Sequence, residues 1–578
     1  MAMRRWILIV LIVALGAITA CTKADDATTA ALIEVEQSSE WDVFLPAFLD
    51  DYFAINPTFA VYQGKHEFDG QLPDWSERGL RKQIDNRKKA IAGARAIDAS
   101  KLTEAQQYER DYLISVLEGD LFWIEQVDWP HKNPAYYLNM LDPNVYIARP
   151  YASAEIRMRA FIAYANNIPA AADHIKANLQ LPLPKTYLKL ATAGFSGFAS
   201  YYPGDAKVAF ASVDDEALQS QFDTAADAAA AAMQNLSDHL SSVPATIDGF
   251  SMGADNFSRM ISKTEGVNIS LDELEAIGRA DLKRNQIALV DACSRFAPGK
   301  SIVDCMAKMA ANKPLDGPVQ AARDQLPPLR AFLIEMDLVS IPGTETALVE
   351  ESPPYNRQNS AYIDIPGPYE TGLPSVYYIS PPDPTWDAET RAAYIPGKMD
   401  LLGTSIHEIW PGHFLNSLHS NRAESLLGKL FVGYAFAEGW AHYTEEMMIE
   451  AGLHDGDAET RIGQLTNALL RNCRYISAIG LHARGMTVEQ SYEMFREECY
   501  QDIGNATQQA ARGTYDPAYL NYTMGKLMIR KLREDWAATR GGRDAWKAFH
   551  DEFLSYGGPP IPMVRKAMMK EGEAKAVF

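Results

Sequence analysis

His407-Glu408-Ile409-Trp410-Pro411-Gly412-His413 places two imidazoles and a carboxylate within seven residues. Neutral imidazoles bind transition-metal ions, and a carboxylate left free beside them can serve as a base toward water. The chemistry this suggests is metal-assisted hydrolysis. In the His-Glu-x-x-His form of such a site, the histidines lie one helical turn apart. Here Pro411 stands at the second histidine's place, and the histidine arrives two residues late. On an ideal helix His407 and His413 would be about 120° apart around the axis and about 9 Å along it. That is too far for two bonds of about 2.0–2.1 Å to one ion. Pro411, however, cannot donate to the His407 carbonyl and crowds it, and Gly412 tolerates unusual backbone angles. A break at Pro411-Gly412 that swings His413 back toward His407 is therefore expected. The alternative is a helix ending at Trp410, with His413 a polar residue beyond it.

A third ligand is sought downstream, where helical zinc peptidases often carry a glutamate on a second helix. Glu438 lies 25 residues after His413, between the apolar Tyr434-Ala435-Phe436-Ala437 and Gly439-Trp440. A carboxylate in such a run is costly to bury unless it is paired or binds a metal. His442 is its rival, one helical turn further on the same face. For Glu445, Glu446 and Glu450 the simple reading is a solvated salt-bridge face, favoured for Glu446 and Glu450.

Together with Gly480-Leu481-His482-x-x-Gly485-Met486, Asn56-Pro57-Thr58 and Asp69-Gly70-x-Leu72-Pro73-Asp74, these motifs resemble the bacterial family filed as domain of unknown function 885. The resemblance runs from about residue 40 to the end, and many members of that family are lipoproteins. The family is in turn similar to helical zinc peptidases of the thermostable carboxypeptidase and thimet oligopeptidase groups. By analogy this implies a metallopeptidase-like fold and one Zn²⁺ held by His407, His413 and Glu438. Tyr522 and His482 look like the family's stabilisers of the oxyanion, alongside Glu408 as general base. Relatives often carry an aspartate two residues before the Gly-x-His; here that position is Ala478.

The elements that must position these residues are mainly helical. Residues 104–127, 153–179 and 213–242 have apolar positions at three- and four-residue spacing, and Ala225–Ala232 marks close helix packing. Ser270-Leu271-Asp272-Glu273 and Thr487-Val488-Glu489-Gln490 have the pattern of helix-opening capping boxes. Within 351–398, Ser360–Gly367 and Pro374–Ser380 are β-rich and proline-bounded, which predicts a small sheet just before the metal helix. An edge strand there could pair with an extended peptide, making Tyr377 and Tyr378 substrate-binding candidates. Arg471, Arg474 and Arg512 are candidates to grip a substrate carboxylate.

Arg4 and Arg5 precede an apolar run to Ala20, ending in Ile18-Thr19-Ala20-Cys21. Residues 1–20 are read as a lipoprotein signal, Cys21 as the lipidated residue and 21–37 as a flexible tether. Residues 38–578 form one large domain or two packed lobes. Thr22 after the cysteine implies the outer membrane, at its periplasmic face. Formal charge is −21, and −23 once Arg4 and Arg5 are removed, which argues against nucleic-acid binding. Cys293, Cys305, Cys473 and Cys499 remain, and local pairs 293–305 and 473–499 are the simplest disulfides in an oxidising compartment. The expected function is zinc-dependent hydrolysis of short peptides; the alternative is a non-catalytic envelope lipoprotein using the fold as a binding module.

Overall fold

The computed structural model describes residues 39–353, 357, 360–570 and 577–578; the expected signal, Cys21 and the tether lie outside them. Helices dominate the order of elements. Those that matter below are α1 (Glu40–Ile55), α2 (Glu77–Ala96), α3 (Glu104–Leu121), α4 (Ala154–Asn178), α5 (Lys185–Tyr201), α6 (Glu216–Ser242), α7 (Ala254–Glu265), α8 (Leu271–Phe296), α9 (Lys398–Glu408), α10 (His413–Ser420), α11 (Tyr434–Glu450), α12 (Ala458–Ala483), α13 (Ile503–Tyr515), α14 (Asn521–Ala538) and α15 (Trp546–Ser555). Shorter helices join them.

Three apolar cores result. α1, α2 and α3 enclose one, closed by Leu427, Leu430 and Phe431. α4, α5 and α6 enclose a second, where the small Ala225, Ala226 and Ala229 let α6 lie against its neighbours. The largest is built by α8, α9, α11, α12, α14 and α15. Ser270 caps α8 by accepting the Glu273 N–H, and at Thr487 the bond is reciprocated by Gln490. Both local disulfides form: Cys293–Cys305 ties α8 to the next helix, and Cys473–Cys499 ties α12 to the chain beyond it. Among the described residues, no helix is long and apolar enough to cross a membrane.

β1 (Leu183–Pro184) and β2 (Ala245–Thr246) make a minimal parallel pair. The expected small sheet, preceding α9, is β3 (Ala347–Glu351), β4 (Ala361–Asp364) and β5 (Ser375–Ile379), in the order β3-β5-β4. β5 runs parallel to β3 and antiparallel to β4. Tyr377 and Tyr378 therefore sit on the central strand, with both neighbours already bonded, and Tyr377 is fully buried. They cannot offer a free backbone to a peptide. The strand that turns an edge toward the cavity described below is β4, through Tyr362 and Ile363.

The solvated face expected for Glu446 is also corrected. Glu446 is buried against Arg284 Nη2 (2.9 Å), Arg530 Nη1 (3.0 Å) and Lys526 Nζ (3.5 Å). Lys526 is itself fully buried and lies 2.7 Å from Asp281 Oδ2. Such charges are tolerated inside only as a paired set, and this set locks α8, α11 and α14 together. Glu450 does stay at the surface, paired with Arg533.

Candidate metal centre

α9 ends at Glu408 and α10 starts at His413, so the chain breaks where Pro411-Gly412 predicts. Within the break the Gly412 N–H donates to the Ile406 carbonyl at 3.0 Å. A Cβ on Gly412 would stand 1.7 Å from the His407 carbonyl oxygen, so only glycine permits this approach. The reversal brings the rings of His407 and His413 to 4.8 Å between centroids, nearly perpendicular.

Glu438 reaches the same point from α11. Its neighbours explain the motif around it. Gly439 packs against Gly525 of α14 so closely that a Cβ there would meet the Gly525 backbone at 2.5 Å. Trp440 Nε1–H donates to the Pro411 carbonyl at 2.8 Å, fastening α11 to the break. Glu438 Oε2 then lies 3.3 Å from His407 Nε2 and 3.4 Å from His413 Nε2. Ligands about 2.1 Å from a tetrahedral centre stand about 3.4 Å from one another. Glu438 Oε2 is buried with no hydrogen-bond donor in proper geometry. These donors are two imidazoles and one carboxylate, with ligand atoms all within 4.8 Å of each other. The set fits an ion of the zinc class and not the all-oxygen cages of calcium or magnesium. His442, the rival ligand, is fully buried beneath the site, 3.6 Å from Glu445 Oε2.

Behind His407 stands a carboxylate that the simple reading passed over. Glu445 Oε1 accepts from His407 Nδ1–H at 2.7 Å, and Arg471 Nη1 donates to Glu445 Oε2 at 2.9 Å. Burial disfavours the Glu445 charge, but Arg471 and the His407 bond hold its pKa well below the usual range. As an acceptor only, it fixes the His407 proton on Nδ1 and turns Nε2 toward Glu438. Burial and Arg471 also depress His407, yet the Glu438 and Glu445 carboxylates beside it outweigh them and hold its pKa up to about 9. The pocket therefore favours a positive charge between His407 and Glu438, a proton or a metal ion alike. Glu445 was findable: seven residues beyond Glu438 is two helical turns, on one face.

His407, Glu408, His413, Glu438 and Tyr522 all line one cavity of about 940 Å³. The Tyr522 ring stacks near His407, with centroids 6.3 Å apart, and the Arg474 guanidinium lies over the same ring, 4.9 Å from its centroid. Burial and the Glu438 charge raise the Tyr522 pKa, keeping the phenol a hydrogen-bond donor. His482 is elsewhere. It is buried against Phe250 and Phe257, and its Nε2 bonds the Gly513 carbonyl at 2.7 Å, so it braces α12 against α13. Nor do the three arginines line the cavity. Arg471 is bound to Glu445, Arg474 to Gln509 and Arg512 to Asp516, each with its guanidinium already engaged. Ala478 is a buried core residue of α12.

The family model described as a bacterial protein of unknown function (DUF885) matches residues 57–568. Among solved structures, a candidate lipoprotein of unknown function from Shewanella oneidensis is similar over 92% of this chain and 100% of its own. Its identity is 25% and its TM-score 0.76. A candidate lipoprotein from Colwellia psychrerythraea is similar over 92% of this chain and 99% of its own, at 16% identity and a TM-score of 0.77. At that identity the second likeness speaks for the fold alone. No curated protein matches the chain.

Proposed function

The chain belongs to the bacterial family of unknown function 885, and from that premise we propose that it is a metal-dependent hydrolase of short peptides. The observation that carries the reading is the convergence of His407, His413 and the undonated Glu438 Oε2 on one point, beside Glu408, in one cavity. His407, His413 and Glu438 would hold a zinc-class ion. Such an ion, when bound, supplies Lewis acidity and lowers the pKa of water toward about 7. Glu408 takes the proton of the attacking water on its carboxylate and passes it to the departing amine nitrogen. The Tyr522 hydroxyl donates to the oxygen on which charge develops. Glu445 keeps His407 Nε2 facing the site, and β4 gives an extended substrate an edge to lie along. The resemblance to helical zinc peptidases supports the same assignment.

The amino-terminal Ile18-Thr19-Ala20-Cys21 and the description of the Shewanella relative support a lipid anchor at Cys21 and residence in the cell envelope, and Thr22 after the cysteine favours the periplasmic face of the outer membrane. Fractionation of the full chain beside Cys21→Ser decides that part.

The test of the enzyme reading is turnover of a short-peptide mixture by wild type and Glu408→Gln. The variant should lose about 10²–10⁴-fold in kcat while keeping its fold and its metal. Equal turnover by the two proteins would remove Glu408 as the base. Peptides bound but never cut by wild type would leave a binding module.

A further inference from the structure

Resting on the hydrolase reading and narrowing its substrate class, we infer that Glu265 and Asn521 form a subsite for the α-ammonium group of the substrate, so that the enzyme works from the free amino end of peptides. Both residues line the cavity that holds the metal triad, and each is only 2% exposed. Glu265 closes α7, and Asn521 opens α14 one residue before Tyr522. Asn521 Nδ2 donates to Glu265 Oε1 at 2.6 Å. The other two acceptors of the pair, Glu265 Oε2 and Asn521 Oδ1, are buried and make no hydrogen bond of proper geometry among the described residues, although the Ala435 N–H lies near enough to favour the Glu265 charge. A pair that leaves two buried acceptors unfilled calls for a ligand rich in N–H and lacking acceptors of its own. A primary ammonium has three donors and none of the latter.

The charge of the cavity points the same way. Its lining acids are Asp120, Glu265, Glu408 and Glu438, and Lys429 is its single lysine or arginine. Asp120 is neutralised by Arg87 at 2.9 Å, outside the lining. Glu408 and Glu438 belong to the hydrolytic centre, which leaves Glu265, bonded to Asn521, as the lining acid with no cation beside it among the described residues. Burial pushes its carboxyl up to about 8, against the lowering influence of the Ala435 N–H and Asn521. A cation seated against it restores the ionised form. No lining arginine offers itself to a carboxyl terminus, because Arg471, Arg474 and Arg512 stand outside the wall.

The spacing suits a short peptide. Ala435, which leans on Glu265, and Glu438 lie three residues apart on α11, about 5 Å along the axis. The pair and the triad are thus neighbours along α11 in one cavity, which places the bond to be cut near the amino end.

The experiment is calorimetric binding to the zinc-loaded full chain carrying Glu408→Gln, with three probes. These are alanyl-alanine amide, its N-acetyl form, and N-acetyl-lysyl-alanine amide, which moves the ammonium to a side chain. The free amine should bind about 10- to 100-fold more tightly than the acetylated form, the range set by a charged hydrogen bond. The lysyl probe should bind like the acetylated one. Adding Glu265→Gln should erase the difference. Equal binding of the first two probes, binding of none, recovery by the lysyl probe, or a preference that survives Glu265→Gln overturns the proposal. The first comparison needs no change at Glu265, so it decides even where that variant misfolds. Wild-type turnover reports separately: amine-selective binding without cleavage would sink the hydrolase reading and leave the ammonium subsite standing.

Discussion

Glu445 is the residue on which the geometry of the candidate centre turns, although it touches neither cavity nor substrate. Its bond to His407 Nδ1 decides which nitrogen faces Glu438. Partners of this kind typically contribute 10–100-fold to metal affinity. Glu445→Gln should therefore bind its metal about 10- to 100-fold more weakly, measured by competition with a chromophoric chelator. Unchanged affinity would remove Glu445 from the account. At this scale the sequence was uneven. His407, His413 and Glu438 were legible because few arrangements bring two imidazoles and an apolar-flanked acid together. His482 was misplaced because a histidine in a motif can brace backbone, here Gly513, as readily as meet substrate. Glu446 was misjudged because helical spacing tells which residues share a face and not what that face meets. Only the fold supplies Arg284 and Lys526 from α8 and α14.

Among the elements, the break between α9 and α10 governs whether a site exists at all. The proline and glycine predicted it, since one lacks a donor and the other lacks a Cβ. What they could not foretell was how tightly Gly412 would sit on the His407 carbonyl. Gly412→Ala must displace the His407 carbonyl oxygen, 1.7 Å away on the backbone of a candidate ligand. It should cost about 2–4 kcal/mol of stability and most of the metal binding, read by urea unfolding and metal content of the same preparation. A fully stable, metal-retaining variant would mean that the break tolerates a side chain. The sheet was foreseen as an element, but strand order was not. Tyr377 and Tyr378 looked accessible until β3 and β4 were found on either side of β5. Pairing is a long-range matter, and local alternation carries no record of it.

For the molecule as a whole, buried titratable groups set the response to acid. His550 is fully buried, bonded to Tyr443 and to the Leu338 carbonyl, and burial followed by Arg533 depresses its pKa to about 3. His482 is lowered by burial to about 4. In the unfolded chain both take up protons near 6.5, so stability is whole above that pH and falls as pH drops toward the folded values. By pH 4.5, two units below 6.5, each histidine should have removed about 3 kcal/mol. Below about 4.5 Glu446 joins them; burial opposes its charge, but Lys526 and Arg284 hold it at about 2. Acid acts the other way on Glu265, which burial holds at about 8, and on Asp142 and Asp400, held at about 6. The histidine share is therefore read by chemical denaturation of wild type beside His550→Asn at pH 7.5 and 4.5. The variant should lose about 3 kcal/mol less in acid, and an equal loss would contradict the burial assigned to His550. The mainly helical class and both local disulfides were readable beforehand, because periodicity and cysteine spacing are local signals. The partition into three apolar cores was not.

The central claim is that His407, His413 and Glu438 share one ion. Elemental analysis with X-ray absorption at the metal edge, on purified chain beside Glu438→Ala, tests it most directly. About one zinc-class ion per chain is expected, with nitrogen and oxygen neighbours near 2.0–2.1 Å, lost or markedly weakened in the variant. A chain that takes up no such ion from added metal, or holds it equally well without the Glu438 carboxylate, would contradict the account.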